Sequence, residues 1–362
     1  MAMVKLGDVA IEKRETWTGS TQGVPIIGLE HLVPGEITLS LWDSDTDNTF
    51  SKMFRKDQVL LGRRRVYLKK AVIAPFDGIC SGDITVIEAI PGKISPRLLP
   101  FIIQNERFFD YAIQGSAGSL SPRVKWEHLK DYEFNLSDYE EQESLANKLW
   151  SALKLKESYH ALLLATDEMV KSRFIEDFYG KGYPSLSLNS FSKVVTGSTP
   201  SRSINEYWFN GSHPWVSAQD MGEKFVDSTA EFITDSGMAT CKSIPAGSLL
   251  YVCRGSIGVM SINRIDCATN QSICSAIPDS SICKTEYLYY WLLYHEDEIT
   301  SLGEGTSFKS LSQKTFANLE IQLPPIKEQL HFITLTQQAD KSKFELKQAI
   351  EKIDKVMRAL LQ

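Results

Sequence analysis

The chain has 362 residues, 43% of them apolar and 23% charged, and its 39 Lys and Arg against 45 Asp and Glu give a formal net charge of −6. This length predicts two domains with room for a third small element, and the composition excludes long disorder and collagen-like repeats. No apolar run approaches the ~20 residues needed to cross a bilayer, and the stretch Met1–Glu15 lacks the apolar core of a signal peptide. The expectation is a cytoplasmic protein with no membrane partner.

In chain order, the first segment reads as strands and short helices. Val59–Leu61, Val66–Leu68, Ala71–Ala74 and Ile84–Ile90 have strand character, punctuated by Gly62, Pro75, Gly78, Gly82 and Pro91. Arg97–Tyr111 carries apolar residues at helical spacing. A long helix is predicted from about Ser137 to Tyr179. Leu145, Leu149, Ala152, Tyr159, Leu163 and Val170 form its seam, Lys156 and Thr166 interrupt it, and Phe174 and Phe178 continue it. Gly180 and Gly182 mark its end. Ser248–Cys253, Ile257–Ile262 and Gln271–Ile277 then take the strand roles and Thr285–Leu302 the helical one. Pro324-Pro325 opens a second long helix, where a missing amide hydrogen costs nothing, with Leu346, Ile350, Ile353, Met357 and Leu360 on its seam.

The segments recur in order. Leu6–Val9 parallels Leu188–Phe191, Val59–Leu61 parallels Ser248–Leu250, and Cys80–Ile84 parallels Thr269–Ile273; the loop Gly115–Ser121 parallels Gly305–Ser312, and Glu141-Gln142 parallels Glu328-Gln329. An ordered set at a nearly constant offset points to a duplicated unit. A helix of about 40 residues is a rod of roughly 60 Å that is marginal alone in water. Two such rods most simply bury each other antiparallel, with a lobe at each end; the alternative is that each packs on its own lobe. The predicted fold is mixed α/β: two globular domains joined by two long antiparallel coiled-coil helices, pseudo-twofold duplicated. The segments are 1–136, 137–182, 183–323 and 324–362.

The six cysteines, Cys80, Cys241, Cys253, Cys267, Cys274 and Cys283, form no C-x-x-C pair and have irregular spacing, which predicts buried reduced thiols rather than a metal site. No phosphate-binding G-x-x-x-x-G-K-[ST] loop, H-E-x-x-H helix or G-x-S-x-G elbow is present. The methyl-donor and amino-methyltransferase motifs are missing, and Pro75-Phe76-Asp77 has no acidic-x-Lys partner for a nuclease core. These absences point away from an enzyme and from a cofactor or metal in this chain.

Charge is segregated. Lys52, Arg55, Lys56, Arg63, Arg64, Arg65, Lys69 and Lys70 fall within one short stretch against the single acid Asp57. Arg63, Arg64, Arg65, Tyr67, Lys69 and Lys70 read as a strand–turn element for DNA, since arginine forks onto phosphate or guanine and lysine supplies point charge. The alternative is an edge strand kept basic against pairing. Ser119, Arg123 and Lys125, with Thr306, Ser307 and Lys309, sit in Gly/Ser/Thr-rich loops that suit close approach to nucleic acid or serve as plain connectors. Arg254 and Ser256 occupy the place of the arginine run in the second unit, with less charge. The region of Thr199, Arg202 and Gln219 reads chiefly as scaffold around a core Trp215, with direct contact through those three side chains as the other reading.

Gly197-Ser198-Thr199-Pro200, Tyr207-Trp208, Pro214-Trp215-Val216, Asp220-Met221, Gly305-Thr306-Ser307 and Leu323-Pro324-Pro325-Ile326-x-Glu328-Gln329, with a terminal coiled-coil helix, resemble the DNA-specificity subunits of type I restriction–modification systems. Gly28–Leu32, Phe76–Ser81 and Glu141-Gln142 in the first unit look like the same family, although that unit lacks the Pro-Trp-Val pattern. The resemblance implies two target-recognition domains that read the halves of a split double-stranded DNA site, with the helices as a ruler for the unread spacer. It also implies two methyltransferase (M) subunits bringing S-adenosylmethionine, and a restriction (R) subunit using ATP and Mg²⁺. The alternatives are a related system whose partner fuses methylation and cleavage, and a self-contained DNA-modifying enzyme.

Overall fold

Short apolar runs between glycine and proline turns build each lobe. In the computed structural model, residues 2–118, 120–303 and 310–361 are described. The chain divides into two compact units, Met1–His160 with Gln348–Gln362, and Ala161–Lys347. The first unit begins with β1 (Ala2–Lys5), α1 (Leu6–Val9), β2 (Ala10–Lys13), β3 (Pro25–Ile27), β4 (Asp43–Ser44), β5 (Lys52–Phe54), β6 (Val59–Gly62), β7 (Ala71–Ile73), β8 (Gly78–Cys80) and β9 (Ile84–Ala89). It continues through α2 (Leu99–Ile103), α3 (Glu106–Gln114), α4 (Trp126–Leu129) and β10 (Glu133–Leu136) into the long α5 (Tyr139–Phe178). Its sheets run β2-β9-β6-β7, β4-β3-β8-β5 and β1-β10.

The second unit repeats this plan with β11 (Ser185–Ser187), α6 (Leu188–Phe191), β12 (Ser192–Thr196), β13 (His213–Val216), β14 (Phe225–Val226), β15 (Glu231–Ile233), α7 (Asp235–Met238), β16 (Leu249–Val252), β17 (Met260–Asn263), β18 (Ala268–Thr269) and β19 (Ile273–Pro278). Then follow α8 (Thr285–Tyr294), α9 (Glu296–Ser301), α10 (Gln313–Ala317), β20 (Glu320–Gln322) and the second long helix, α11 (Ile326–Leu360). The orders β12-β19-β16-β17, β13-β18 and β11-β20 match β2-β9-β6-β7, β3-β8 and β1-β10, and both β3–β8 and β13–β18 are parallel pairs.

Register corrects one of the sequence matches. Val59 pairs with Ile87, while Leu249 pairs with Ala276. The counterpart of Val59 is therefore Leu249, one residue beyond the match to Ser248. A one-residue slip exchanges the two faces of a strand, and the faces hold different cores. Val59 and Leu61 pack with Phe101 and Phe108, as Leu249 and Tyr251 pack with Tyr287 and Phe316; Leu60 and Leu250 lie in the separate clusters on the other face.

Three predicted elements change. Val66–Leu68 is a 3-10 turn rather than a strand, because Arg65 (φ 53°) and Lys69 (φ 52°) at its ends adopt left-handed backbone. Arg97–Tyr111 divides at Asn105, whose side chain accepts from Arg107 N at 2.9 Å and starts α3 anew. Thr285–Leu302 divides at His295, which leaves helical geometry at φ −114°, ψ 18°.

The long helices pair inside each unit. In the first, Leu149 is buried in a core cluster against which Leu145, Leu153, Met357 and Leu360 pack, and Lys156 Nζ lies 2.7 Å from Asp354 Oδ1. In the second, Phe174 and Phe178 each meet Phe332 at 5.5 Å between ring centroids, and Lys343 Nζ lies 2.9 Å from Asp167 Oδ1. From Asp167 to Phe174 the partner number falls from 343 to 332, so the helices run antiparallel. The seam break at Lys156 is thus an ion pair between helices, and at Thr166 the hydroxyl donates to Leu162 O at 2.7 Å.

The repeated Glu-Gln dipeptide clips each long helix to its lobe. Gln142 accepts from Ser95 N at 2.9 Å and donates to Ser137 O at 2.9 Å and Lys93 O at 3.4 Å. Gln329 accepts from Lys284 N at 2.8 Å and donates to Pro324 O at 2.8 Å and Ile282 O at 3.1 Å. Both side chains are buried. A primary amide suits the place because it accepts one amide hydrogen from the lobe and supplies two donors, one to a carbonyl just before the helix and one to a carbonyl of the lobe.

Candidate nucleic-acid interface

Beyond Gly62, β6 leaves its sheet and the chain turns into the arginine run. Arg63 N donates to Asp83 O at 2.9 Å, and Arg63 O accepts from Val124 N at 3.0 Å. Arg65 N donates to Pro122 O at 2.7 Å, and Arg64 forms an antiparallel bridge with Arg123. Ala117 and Arg123 exchange backbone bonds of 3.1 and 2.9 Å, closing the loop tip where Leu120 is 90% exposed. Two stretches that are far apart in sequence, Arg63–Lys70 and Gln114–Lys125, therefore form one surface. Ser119 lies outside the described residues.

Several of the bases on this surface are neutralised or tied inward. Arg123 Nε donates to Asp83 Oδ1 at 2.8 Å, while Arg64 reaches Asp83 Oδ2 at 3.4 Å and Ser121 Oγ at 3.2 Å. The hydrogen bond from Arg123, reinforced by the charge of Arg64, holds the Asp83 carboxyl below the usual aspartate range. Lys69 pairs with Glu106, and Lys70 Nζ donates to Leu29 O at 2.7 Å. Among the described residues, the side chains of Arg65, Tyr67 and Lys125 are exposed and have no polar partner in the chain. Arg63 is half-buried, and its Nε is buried with no hydrogen-bond partner.

The second unit repeats the construction with other chemistry. Arg254 follows β16 and bridges Ser310, and Leu311 N donates to Cys253 O at 2.8 Å. Arg254 and Ser256 are exposed. Thr306, Ser307 and Lys309 lie outside the described residues. Gly197 is packed so closely that a Cβ would overlap the carbonyl oxygens of Thr269 and Asn270, which explains a glycine at the head of Gly-Ser-Thr-Pro. Thr199 donates to Gln271 Oε1. Arg202 stacks 3.6 Å over Trp208 and forks onto Glu231 at 2.5 and 2.8 Å, so its guanidinium is already engaged on its face and its edge. Trp215 is buried, donates to Ser198 O at 3.1 Å and meets Trp208 edge-on. Gln219 is exposed on a 3-10 turn held by Ser217 and Asp220, the latter accepting from Ser217 N at 2.8 Å and Ala230 N at 2.9 Å.

Sequence reasoning missed Asp83 and Glu231, the carboxylates that commit Arg64, Arg123 and Arg202. The signal for Asp83 was its place in the turn Ser81-Gly82-Asp83 beside a basic run; no local pattern marks Glu231. Among the described residues, no group of His, Cys, Asp and Glu is arranged to hold a metal ion, all six cysteines are free, and no helix is long and apolar enough to cross a membrane.

Residues 181–355 match the family model described as the type I restriction modification DNA specificity domain. The chain is 31% identical over 162 residues to the EcoR124I/EcoR124II specificity subunit of Escherichia coli, an alignment covering 42% of this chain and 40% of that one. It thus spans about two-fifths of that relative's length. Among solved structures, one from a study of complex assembly and conformational transition in the type I R-M system superposes with a TM-score of 0.63 at 19% identity, covering 99% of this chain and 96% of that one. The S subunit of the type I system from M. genitalium superposes with a TM-score of 0.62 at 13% identity, covering 100% and 96%. The family model covers most of the second unit and residues 348–355 of the first, whose lobe repeats the strand order of the matched one. Residues 181–355 therefore carry a type I restriction modification DNA specificity domain, and the whole chain shares the fold of the type I S-subunit structures it superposes on.

Proposed function

We propose that the chain is a non-catalytic DNA-reading subunit, each unit addressing one half of a split duplex site. The observation that carries this reading is the repeated construction at the end of β6 and of β16. In both, the chain leaving the strand is braced by a second segment and presents exposed polar residues, Arg65, Tyr67 and Lys125 in one unit and Arg254 and Ser256 in the other. The frame is common and the side chains differ, which suits two different half-sites. An exposed arginine can fork onto guanine O6 and N7 or onto a phosphate, while hydroxyl and amide groups read other edges.

In this reading the paired helices set the number of unread base pairs and dock two methyltransferase subunits. Those partners bring S-adenosylmethionine, and a restriction subunit brings ATP and Mg²⁺. The net charge of −6 is compatible with this role when the partners supply much of the sequence-independent grip. The test is to sequence the duplexes that the full chain retains from a random pool in the presence of its cognate methyltransferase. A bipartite consensus with a fixed gap is expected, with Arg65→Ala and Tyr67→Ala altering only one half. Retention without any consensus would refute the reading, and so would methylation or cleavage by the chain alone.

A further inference from the structure

The geometry points to a phosphate-binding cleft in the first unit, in which Arg63 and Lys125 hold one phosphodiester of the DNA backbone. This rests on the reading of the chain as a DNA-binding subunit and assigns one contact within it. The cleft has a volume of about 590 Å³, with Arg63 and Lys52 among its lining residues and Lys125 and Trp126 beside Glu127.

Its carboxylates are already matched. Glu12 takes Arg14 at 2.7 Å and Lys52 at 3.6 Å, Glu127 takes Arg14 at 3.3 Å, and Glu15 takes Arg55 at 3.0 Å and Lys13 at 3.2 Å. Among the described residues no carboxylate takes Arg63 or Lys125. The main chain of Arg63 is fixed on both sides, by Asp83 O and Val124 N, so its side chain is presented from a rigid base. Its Nε is buried and unpartnered, and the residue lines the cleft, where no carboxylate of the described residues neutralises its charge.

Lys52 lies behind it, its ammonium donating to Ile84 O at 2.9 Å. Burial lowers the pKa of Lys52, and the charge of Arg63 pushes the same way. An anion at this place would relieve the crowding of these cations. Lys125 follows directly on the loop segment that braces the arginine run, so the cleft is continuous in the chain with the exposed surface of Arg65 and Tyr67. The half-buried ring of Trp126 gives the wall an aromatic face for a sugar or base.

The experiment follows binding of a labelled random-sequence 30-base-pair duplex pool (about three helical turns) by the full chain between roughly 50 and 200 mM salt. Lys125→Gln, Arg63→Gln and the double variant are compared with the wild type, with melting curves to confirm folding. Each single variant is expected to weaken binding about five- to ten-fold and to flatten the slope of log K against log salt by about 0.9. Because that phosphate gives up its counterion only while both cations hold it, the double variant should flatten the slope by no more than either single one.

An unchanged slope in Lys125→Gln, an exposed side chain whose loss leaves the fold intact, would overturn the assignment. Inorganic phosphate, titrated separately, distinguishes the two sources of the same chemistry. Tight phosphate binding that Arg63→Gln abolishes, with DNA slopes unchanged, would assign the cleft to a free phosphate compound and overturn the backbone contact. A wild-type chain that binds no duplex with or without its methyltransferase partner would fail the parent reading, and the cleft assignment with it.

Discussion

Replacing Gln329 by leucine removes the clip between the second long helix and its lobe while keeping nearly the same volume. Three bonds are lost, from Lys284 N and to the carbonyls of Pro324 and Ile282, at a side chain with no solvent exposure. An orphaned buried backbone group costs about 1–3 kcal/mol, and the added apolar surface offsets only part of this. With the Lys284 amide and two carbonyls affected, the net destabilisation is about 3 kcal/mol, a large share of an ordinary stability of roughly 5–15 kcal/mol. For a unit of this size that is a melting shift of roughly 6–12 °C. Urea titration and calorimetry of the full chain measure it, with Gln338→Leu as control, the same chemical change at an exposed position of the same helix with no partner among the described residues. A loss below about 0.5 kcal/mol in Gln329→Leu, the range of ordinary surface changes, would refute the argument that the amide holds the helix start. Gln142→Leu should act equally in the first unit, since the same three kinds of bond are made there.

Asp83 should make the Arg63–Arg65 brace acid-sensitive. Its folded pKa is depressed, so its contribution is present above the unfolded aspartate value of about 3.9 and is lost as pH falls through the lower folded value. Amide exchange at Val124 and Arg65 should therefore accelerate below about pH 4 in the wild type and show no such step in Asp83→Asn. Arg202→Ala should destabilise the second unit by about 1–2 kcal/mol, discounted for exposure, and shift the emission of Trp208 and Trp215. Arg202→Lys should recover little, because an ammonium cannot stack and fork at once. Burial pushes the thiols of Cys80 and Cys283 up to about 12 and that of Cys267 up to about 11. Cys241, the one cysteine that is not buried, should therefore be alone in reacting with a thiol reagent before unfolding.

Periodicity alone disclosed the two long helices, because an apolar seam repeating every three or four residues needs only the chain itself to be read. The duplicated frame was legible for the same reason, from the ordered recurrence of segments such as Cys80–Ile84 and Thr269–Ile273. The burial of Trp215 and of five of the six cysteines also follows from their apolar surroundings. What local pattern could not supply was which distant residues meet. Asp83 and Arg123 are 40 residues apart, and only sheet topology brings them together. That contact decides that Arg64 and Arg123 are largely neutralised, while Arg65 and Lys125 face solvent. The pairing of Val59 with Ile87, and so the side of the sheet each residue faces, was likewise set by hydrogen-bond register between strands. A run of charges shows in sequence where counter-ions are needed, but tertiary structure determines which of them the protein itself provides.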